Sequence, residues 1–310
     1  MIKFSVVIPL YNKEKEIVNT LKSVLKQSHK ADQIIVVDDG STDKSVDLIK
    51  EHFQNKIILI SQKNSGETVA RNSGIREAKN EYIALLDADD LWENEFLEEI
   101  ALLIKKYPKA SFFSTASKSI DEQGNSIVNQ VNFSKKFVGF IEDFPKVFAK
   151  NYGLLNSSSV TIRKSIFDKG TVFPEGEKRG GDLCYWLQLS LKGGLAFSAK
   201  PLSIYKLDAS NRSSTIHDEA IIPCPIKWFY KNRDELKRDK NYDSIKKFIY
   251  SNIFITVYGG YGLSKNYVSI DAVINLMKQN SDKFYFLLYP AYWIPITFLE
   301  KIKKIRRSLR

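Results

Sequence analysis

The sequence predicts an α/β fold built on a parallel sheet, and three observations carry that prediction. Short apolar, mostly β-branched runs alternate with segments of helical periodicity through roughly the first 100 residues. Each run stops abruptly at a polar cluster. The fourth run, Tyr82 to Leu86, ends in Asp87-Ala88-Asp89-Asp90, and in open α/β sheets ligands bind beyond the carboxyl ends of such strands.

Taken in order, the first strand runs from Phe4 to Ile8 and ends in Pro9-Leu10-Tyr11-Asn12. Ile17, Leu21, Val24 and Leu25 then recur at helical spacing. The second strand, Gln33 to Val37, ends in Asp38-Asp39-Gly40-Ser41-Thr42-Asp43 and is followed by a helix marked by Val46, Ile49 and Phe53. The third, Ile57 to Ser61, ends in Gln62-Lys63-Asn64-Ser65-Gly66, before a helix expected over Thr68 to Ala78. Right-handed crossovers place all these strand ends on one rim. A single cluster reads as turn and N-cap chemistry; several on one edge point to a ligand.

Asp87 and Asp89 are two residues apart, so extended backbone would aim both side chains one way, able to share a cation and the phosphates it holds. Hard oxygen donors suit magnesium or manganese. The competing reading is an acidic helix start, with Asp89 or Asp90 capping a helix that begins near Leu91.

Bulk properties narrow the classes. A length of 310 residues with 43% hydrophobic residues suits one large domain with an appendage, or two domains. The net charge of +11 invites nucleic acid, an anionic membrane or a phosphorylated substrate. Much of that excess is a local tail, since Lys301, Lys303, Lys304, Arg306, Arg307 and Arg310 close the chain. Cys184 and Cys224 give neither a disulfide framework nor a zinc site, and read as free thiols in a reducing compartment. The N-terminal apolar stretch is too short for a signal sequence, so a cytoplasmic location is expected. No G-x-G-x-x-G follows the first strand, and no P-loop or G-x-S-x-G elbow occurs. His29, His52 and His217 are scattered, which leaves hydrolase triads unsupported.

Val-Val-Ile-Pro-Leu-Tyr-Asn, Val-Val-Asp-Asp-Gly-Ser-Thr-Asp, Asn-Ser-Gly-Glu-Thr-Val-Ala-Arg-Asn-Ser-Gly-Ile and Leu-Asp-Ala-Asp-Asp follow one another in that order. Together they resemble the family 2 glycosyltransferases of the GT-A fold, of the inverting, bacterial surface-polysaccharide type. Phe173-Pro174-Glu175 and then Gly180 through Leu191 look like the family's acceptor-side segment. The resemblance covers about residues 1 to 210. It implies a GT-A catalytic domain over 1–215, a Rossmann-like mixed sheet flanked by helices, with a nucleotide-binding half at 1–100 and an acceptor half at 101–215. A helical C-terminal region over 216–310 would follow.

The resemblance further implies a UDP-sugar donor and a divalent cation, Mn2+ or Mg2+. Carried over position by position, Pro9, Tyr11 and Asp39 would surround the base and Asp38 would lie near the nucleoside. Arg71 would lie against the nucleotide and Asp87 near the ribose, with Ala88 beside it in the nucleotide-sugar site. Asp89 would bind the metal, and Asp182 would be the general base. Arg71 has a second reading as an ion pair with Glu67 or a solvated helix face. Asp182 has one as the cap of a helix through Trp186, Leu187 and Leu191.

The chemistry agrees with those roles. Charge leaving on UDP is stabilised by a metal, and an acceptor hydroxyl needs a carboxylate to take its proton. Displacement from the opposite face inverts the anomeric carbon. Two positions depart from the family: Gly181 stands where an acidic residue commonly precedes the base, and Tyr205-Lys206-Leu207-Asp208 where a histidine often approaches the metal. Asp208 or His217 is the expected substitute.

Further along, a hairpin is expected about Asp121-Glu122-Gln123-Gly124-Asn125, and a strand over Ser157 to Ile162. The glycine-rich stretch Lys169 to Gly181 reads as a lid or a mobile surface loop. Helical patterns rich in Lys, Tyr and Phe begin near Asp218. Phe284 to Leu299 carries no charge but holds Pro290 and Pro295, short and kinked for a span. In the tail, Phe298, Ile302, Ile305 and Leu309 share one helical face among basic residues, a pattern drawn to anionic lipid. Nucleic acid is disfavoured for lack of a recognised module.

The leading expectation is a metal-dependent inverting glycosyltransferase, peripheral on the inner face of the cell membrane. It would act on a glycan or lipid-linked oligosaccharide in surface-polysaccharide synthesis. The alternatives are a polyprenyl-phosphate glycosyltransferase and, from another class, a catalytically weak nucleotide-sugar-binding or scaffold protein.

Overall fold

The computed structural model describes residues 2–129, 131–151, 153–209, 222–258 and 268–292. The chain divides into two compact units, Met1–Gly176 with Tyr185–Ser213, and Glu177–Cys184 with Ser214–Arg310.

The first unit is organised on β1 (Phe4–Leu10), β2 (Gln33–Asp38), β3 (Ile58–Ser61) and β4 (Tyr82–Leu85). The rest of its sheet comprises β5 (Leu91–Trp92), β6 (Phe112–Ile120), β7 (Ser126–Val128), β8 (Val138–Ile141), β9 (Val160–Arg163) and β10 (Leu195–Lys206). Strand order is β3-β2-β1-β4-β9-β6-β10-β5, with β7 on β6 and β8 on β10. The β3-β2-β1-β4 half is parallel throughout. The other half is mixed, because β9 runs antiparallel to both β4 and β6.

All of β1 is buried, as expected of a strand covered on both faces. Alternation divides its side chains: Phe4, Val6 and Ile8 join one apolar cluster with α1 (Ile17–Leu25), α2 (Ser45–Phe53) and α4 (Phe96–Lys106). On the opposite face lies α3 (Glu67–Glu77), held close by Gly74. A methyl group there would stand 2.5 Å from Val7 Cγ1 and 3.1 Å from Val37 Cγ2, so only glycine permits this approach. Pro9 sits in this central strand at no cost to the β4 ladder, which ends at Val7 opposite Leu85.

Three local expectations are corrected. Leu91 starts no helix; Leu91 and Trp92 pair with Ile204 and Ser203 as β5, and α4 begins at Phe96, where Trp92 stacks on the Phe96 ring at 4.2 Å. Ser157–Ser159 forms a 3-10 turn before β9, since the Asn156 amide donates to Ser159 Oγ and the Ser159 amide to the Asn156 carbonyl. The stretch after Lys169 is not wholly a free lid. Phe173 is buried, packed on Tyr185 at 4.0 Å, and bonded through both its amide and its carbonyl to Asn72 of α3. The hairpin turn at 121–125 connects β6 to β7.

The remaining helices of this unit are α5 (Phe144–Phe148), α6 (Lys164–Phe167) and the body of α7 (Gly181–Gly193), whose first residues belong to the second unit. The second unit contains α8 (Cys224–Lys231), α9 (Arg233–Leu236), α10 (Tyr242–Tyr258), α11 (Val268–Gln279) and a 3-10 segment, Lys283–Tyr292. Inside it, Tyr230 and Tyr250 hydroxyls donate to buried Asp282 at 2.9 and 2.6 Å. Cys184 and Cys224 are buried and form no disulfide with each other. Among the described residues no helix is long and apolar enough to cross a membrane. The basic tail, with Phe298, Ile302, Ile305 and Leu309, lies outside the described residues, as does His217.

Candidate active site

The rim forms where β1, β2 and β4 end side by side. Tyr11 leaves β1 exposed, and Asn12 takes φ of +50°, a left-handed conformation that asparagine tolerates better than most residues. Asn12 Oδ1 accepts from the Thr42 amide at 2.8 Å. The amides of Asn12, Lys13 and Glu14 donate to Ser41 Oγ, Ser45 Oγ and Asp43 Oδ2 at 3.0, 2.9 and 2.9 Å. The turn after β1 is thereby laced to the turn after β2.

Asp38 and Asp39 are both buried, and both make turns. Asp38 Oδ1 accepts from the Ser41 amide at 2.9 Å. The Asp39 carboxylate accepts from Gln62 Nε2 at 2.7 Å and from the amides of Ser65 and Gly66 at 2.9 and 2.8 Å. It therefore fixes the loop that leads into α3.

Arg71 projects from α3 with 2% exposure. Its Nη2 donates to Asp87 Oδ1 at 2.6 Å and also to Glu67, and its guanidinium lies 5.4 Å from the centre of the Phe173 ring. The helical pair with Glu67 does form, joined by a tie to the acidic loop.

That loop is a turn, closed by the Asp90 amide on the Asp87 carbonyl at 3.1 Å. The turn overrides the extended geometry expected for Asp87 and Asp89. Each acid instead meets its own cation, Asp87 the guanidinium of Arg71 and Asp89 the ammonium of Lys13 at 2.7 Å. Ala88 is buried between them, its carbonyl accepting from Thr20 Oγ1 at 2.9 Å. Asp90 caps nothing and is buried: Oδ2 accepts from Ser158 Oγ at 2.5 Å and Oδ1 from the Lys206 amide at 3.2 Å. Ser158 Oγ also accepts from the Asp87 amide at 3.1 Å, so one hydroxyl braces both ends of the turn.

Electrostatics follow from this crowding. Burial pushes the Asp89 carboxyl above its ordinary range, the Asp87 charge adds to that, and Lys13 opposes it. Asp90 is pushed further up, first by burial and then by the charge of Asp87.

Asp208 pairs with Lys206 at 3.4 Å. Among the described residues no three His, Cys, Asp or Glu side chains form a cluster able to hold a metal. The rim suits a hard dication in another way, since Mg2+-like ions take one or two carboxylates and complete their shell with water and substrate phosphates.

Asp182 lies in the first turn of α7, with its Oδ1 accepting from the Leu183 amide at 2.7 Å. Within the second unit the segment preceding it is fastened to α8. Glu177 pairs with Lys227 at 2.5 Å, and the Cys224 amide donates to the Arg179 carbonyl at 2.9 Å.

The sequence reading missed Lys13, Asn72, Ser158 and the burial of Asp90. Lys13 stands between Asn12 and Glu14 just before a helix, where a solvated charge is the ordinary expectation. Ser158 meets Asp90 across 68 residues and carries no local signal.

Comparisons with known proteins complete the picture. A family model described as glycosyl transferase family 2 matches residues 5–169. The chain is 33% identical over 210 residues to an uncharacterized glycosyltransferase of Rickettsia bellii, an alignment covering 67% of this chain and 29% of that protein. It is 29% identical over 214 residues to the putative teichuronic acid biosynthesis glycosyltransferase TuaG of Bacillus subtilis, covering 68% of this chain and 81% of TuaG. The aligned region spans about a third of the length of its Rickettsia relatives. Among solved structures, that of S. aureus TarS 1–349 in complex with UDP-GlcNAc superimposes with a TM-score of 0.74 at 21% identity, covering 100% of this chain and 93% of that one. This last likeness speaks for the fold, the GT-A architecture.

Proposed function

The chain belongs to glycosyl transferase family 2, and from that premise we propose that it transfers a sugar, with inversion, from a UDP-sugar to a hydroxyl of a glycan or lipid-linked oligosaccharide. The setting is cell-surface polysaccharide synthesis. The observation that carries this reading is the rim on which Arg71 and Lys13 face Asp87 and Asp89 beyond the ends of parallel strands. Support for the donor comes from TarS, solved with UDP-GlcNAc and with UDP. Support for the pathway class comes from relatives named chondroitin synthase and TuaG.

In this reading Tyr11 and Pro9 line the base, with Asp38 and Asp39 shaping the loops around it. Arg71 orients the nucleotide while holding Asp87 toward the ribose. Asp89 is the protein carboxylate that would hold Mn2+ or Mg2+. When bound, such an ion neutralises the charge that develops on the departing diphosphate. Asp182 takes the proton from the acceptor hydroxyl as it attacks.

The reading extends to a location, the inner face of the cell membrane, and surface features of the second unit support it. Phe254 of α10 and Phe284, Phe286, Leu287 and Tyr289 of the 3-10 segment are exposed. Lys246 lies over the Tyr250 and Phe284 rings at 5.6 and 5.8 Å, and Lys278 over Tyr285 and Tyr289 at 5.2 and 5.7 Å. Aromatic rings interleaved with lysines suit an anionic lipid surface.

The deciding experiment is calorimetric binding of UDP, GDP and TDP, each with Mn2+ and then with excess EDTA. UDP binding alone, lost with EDTA, is expected. Equal binding of all three, or UDP binding indifferent to EDTA, overturns the metal-bridged UDP site.

A further inference from the structure

Lys13 is the cation that the proposed reaction leaves without a role. Its Nζ stands 2.7 Å from Asp89 Oδ2, with the two side chains only 10% and 16% exposed. Its backbone is immobilised by the Ser45 hydroxyl and by the neighbouring bonds that lace the turn after β1 to the turn after β2. The Lys44 amide adds another tie, to Glu14 Oε2 at 3.0 Å. The ammonium is therefore delivered to Asp89 from a fixed platform, and only the flexible stem can withdraw it.

Resting on the reading of Asp89 as the metal carboxylate, we propose that Lys13 is a built-in counter-ion that keeps a divalent cation off Asp89 until a diphosphate arrives with it. Lys13 holds Asp89 Oδ2, and a dication placed on the same carboxylate would stand close enough to the ammonium for the two cations to repel each other strongly. A dication approaching alone meets a carboxylate already neutralised and must compete with a partly buried ammonium for it. A diphosphate changes the balance, because its oxygens are acceptors for an ammonium as well as for the metal. Cation and nucleotide then bind with positive coupling, and the coupling is reciprocal.

The test is calorimetric titration of Mn2+ into the full chain without nucleotide, repeated with saturating UDP, for wild type, Lys13→Met, Lys13→Gln and Asp89→Asn. Lys13→Met keeps the apolar stem and removes the charge. Mn2+ alone is expected to bind Lys13→Met about tenfold tighter or more than wild type, with a smaller gain on adding UDP. Lys13→Gln is expected to move the same way, and it carries the comparison should the methionine variant fold poorly. A merely structural role for Lys13 would weaken Mn2+ binding on substitution, the opposite sign. Unchanged or weaker Mn2+ binding in the Lys13 variants, with UDP binding still metal-dependent, overturns this proposal alone. Metal-dependent UDP binding that survives in Asp89→Asn overturns the Asp89 metal reading and this proposal with it.

Discussion

Asn72 grips Phe173 through both of its backbone polar groups, Nδ2 donating to the carbonyl at 2.9 Å and Oδ1 accepting from the amide at 3.0 Å. The same Nδ2 donates to Glu175 at 3.0 Å. Asn72→Ala would leave buried donors and acceptors unpaired, and is expected to lower stability by about 2–4 kcal/mol in urea unfolding. The loss should depend on pH. The Asn72 amide and the Arg76 guanidinium hold the Glu175 carboxyl below its ordinary range. A depressed folded-state pKa adds stability that is present above the ordinary carboxylate range and lost as pH falls through the folded value. Asn72→Ala should therefore cost more at about pH 7 than at about pH 3; equal cost at both would mean that Glu175 takes no part.

Arg71 bonds both Glu67 and Asp87 and lies against Phe173. Arg71→Met is expected to destabilise the chain by about 1–3 kcal/mol, the lower figure reflecting the partial exposure of Asp87. UDP affinity should fall at least about tenfold, for want of charge-assisted bonds. Arg71→Lys should recover little, because an ammonium cannot reproduce a planar, stacked guanidinium. Melting curves and UDP calorimetry read both effects, and full recovery by lysine would refute the stacked, two-acid role.

Asp182→Asn tests the proposed proton transfer apart from donor binding. Its UDP affinity in Mn2+ should stay within about twofold of wild type, while the rate of sugar transfer falls by about 10²–10⁴. A transfer rate close to wild type would remove the residue from the chemistry.

Vesicle sedimentation tests the aromatic surface of the second unit. The full chain should pellet with vesicles containing phosphatidylglycerol and be released by salt. Phe286→Ser with Leu287→Ser should reduce partitioning about tenfold, two exposed apolar side chains being lost. Equal pelleting of wild type and variant would assign attachment elsewhere.

The parallel half of the sheet was legible because β1, β2 and β4 must be apolar on both faces, which leaves uninterrupted runs in the sequence. β10 was not, since Ser198, Lys200, Pro201 and Ser203 interrupt its apolar pattern where its register against β6 shifts. The rim acids were legible by position, but their geometry was not. Spacing implied that Asp87 and Asp89 face one way, whereas a turn closed by a single backbone bond sends them to Arg71 and Lys13. Asp90 was misread for a similar reason. A carboxylate after a strand resembles a cap, and its actual partners, Ser158 and Lys206, come from distant segments.

Residues 177–184 pack with the C-terminal unit although the chain on either side of them belongs to the first. During synthesis, then, the polypeptide around Asp182 emerges well before α8, the helix that fastens its approach through Lys227 and Cys224. A later-made helix thus fastens backbone, at the Arg179 carbonyl, made 45 positions before Cys224. Residues 177–184 therefore reach their packed state only after the chain has passed α8.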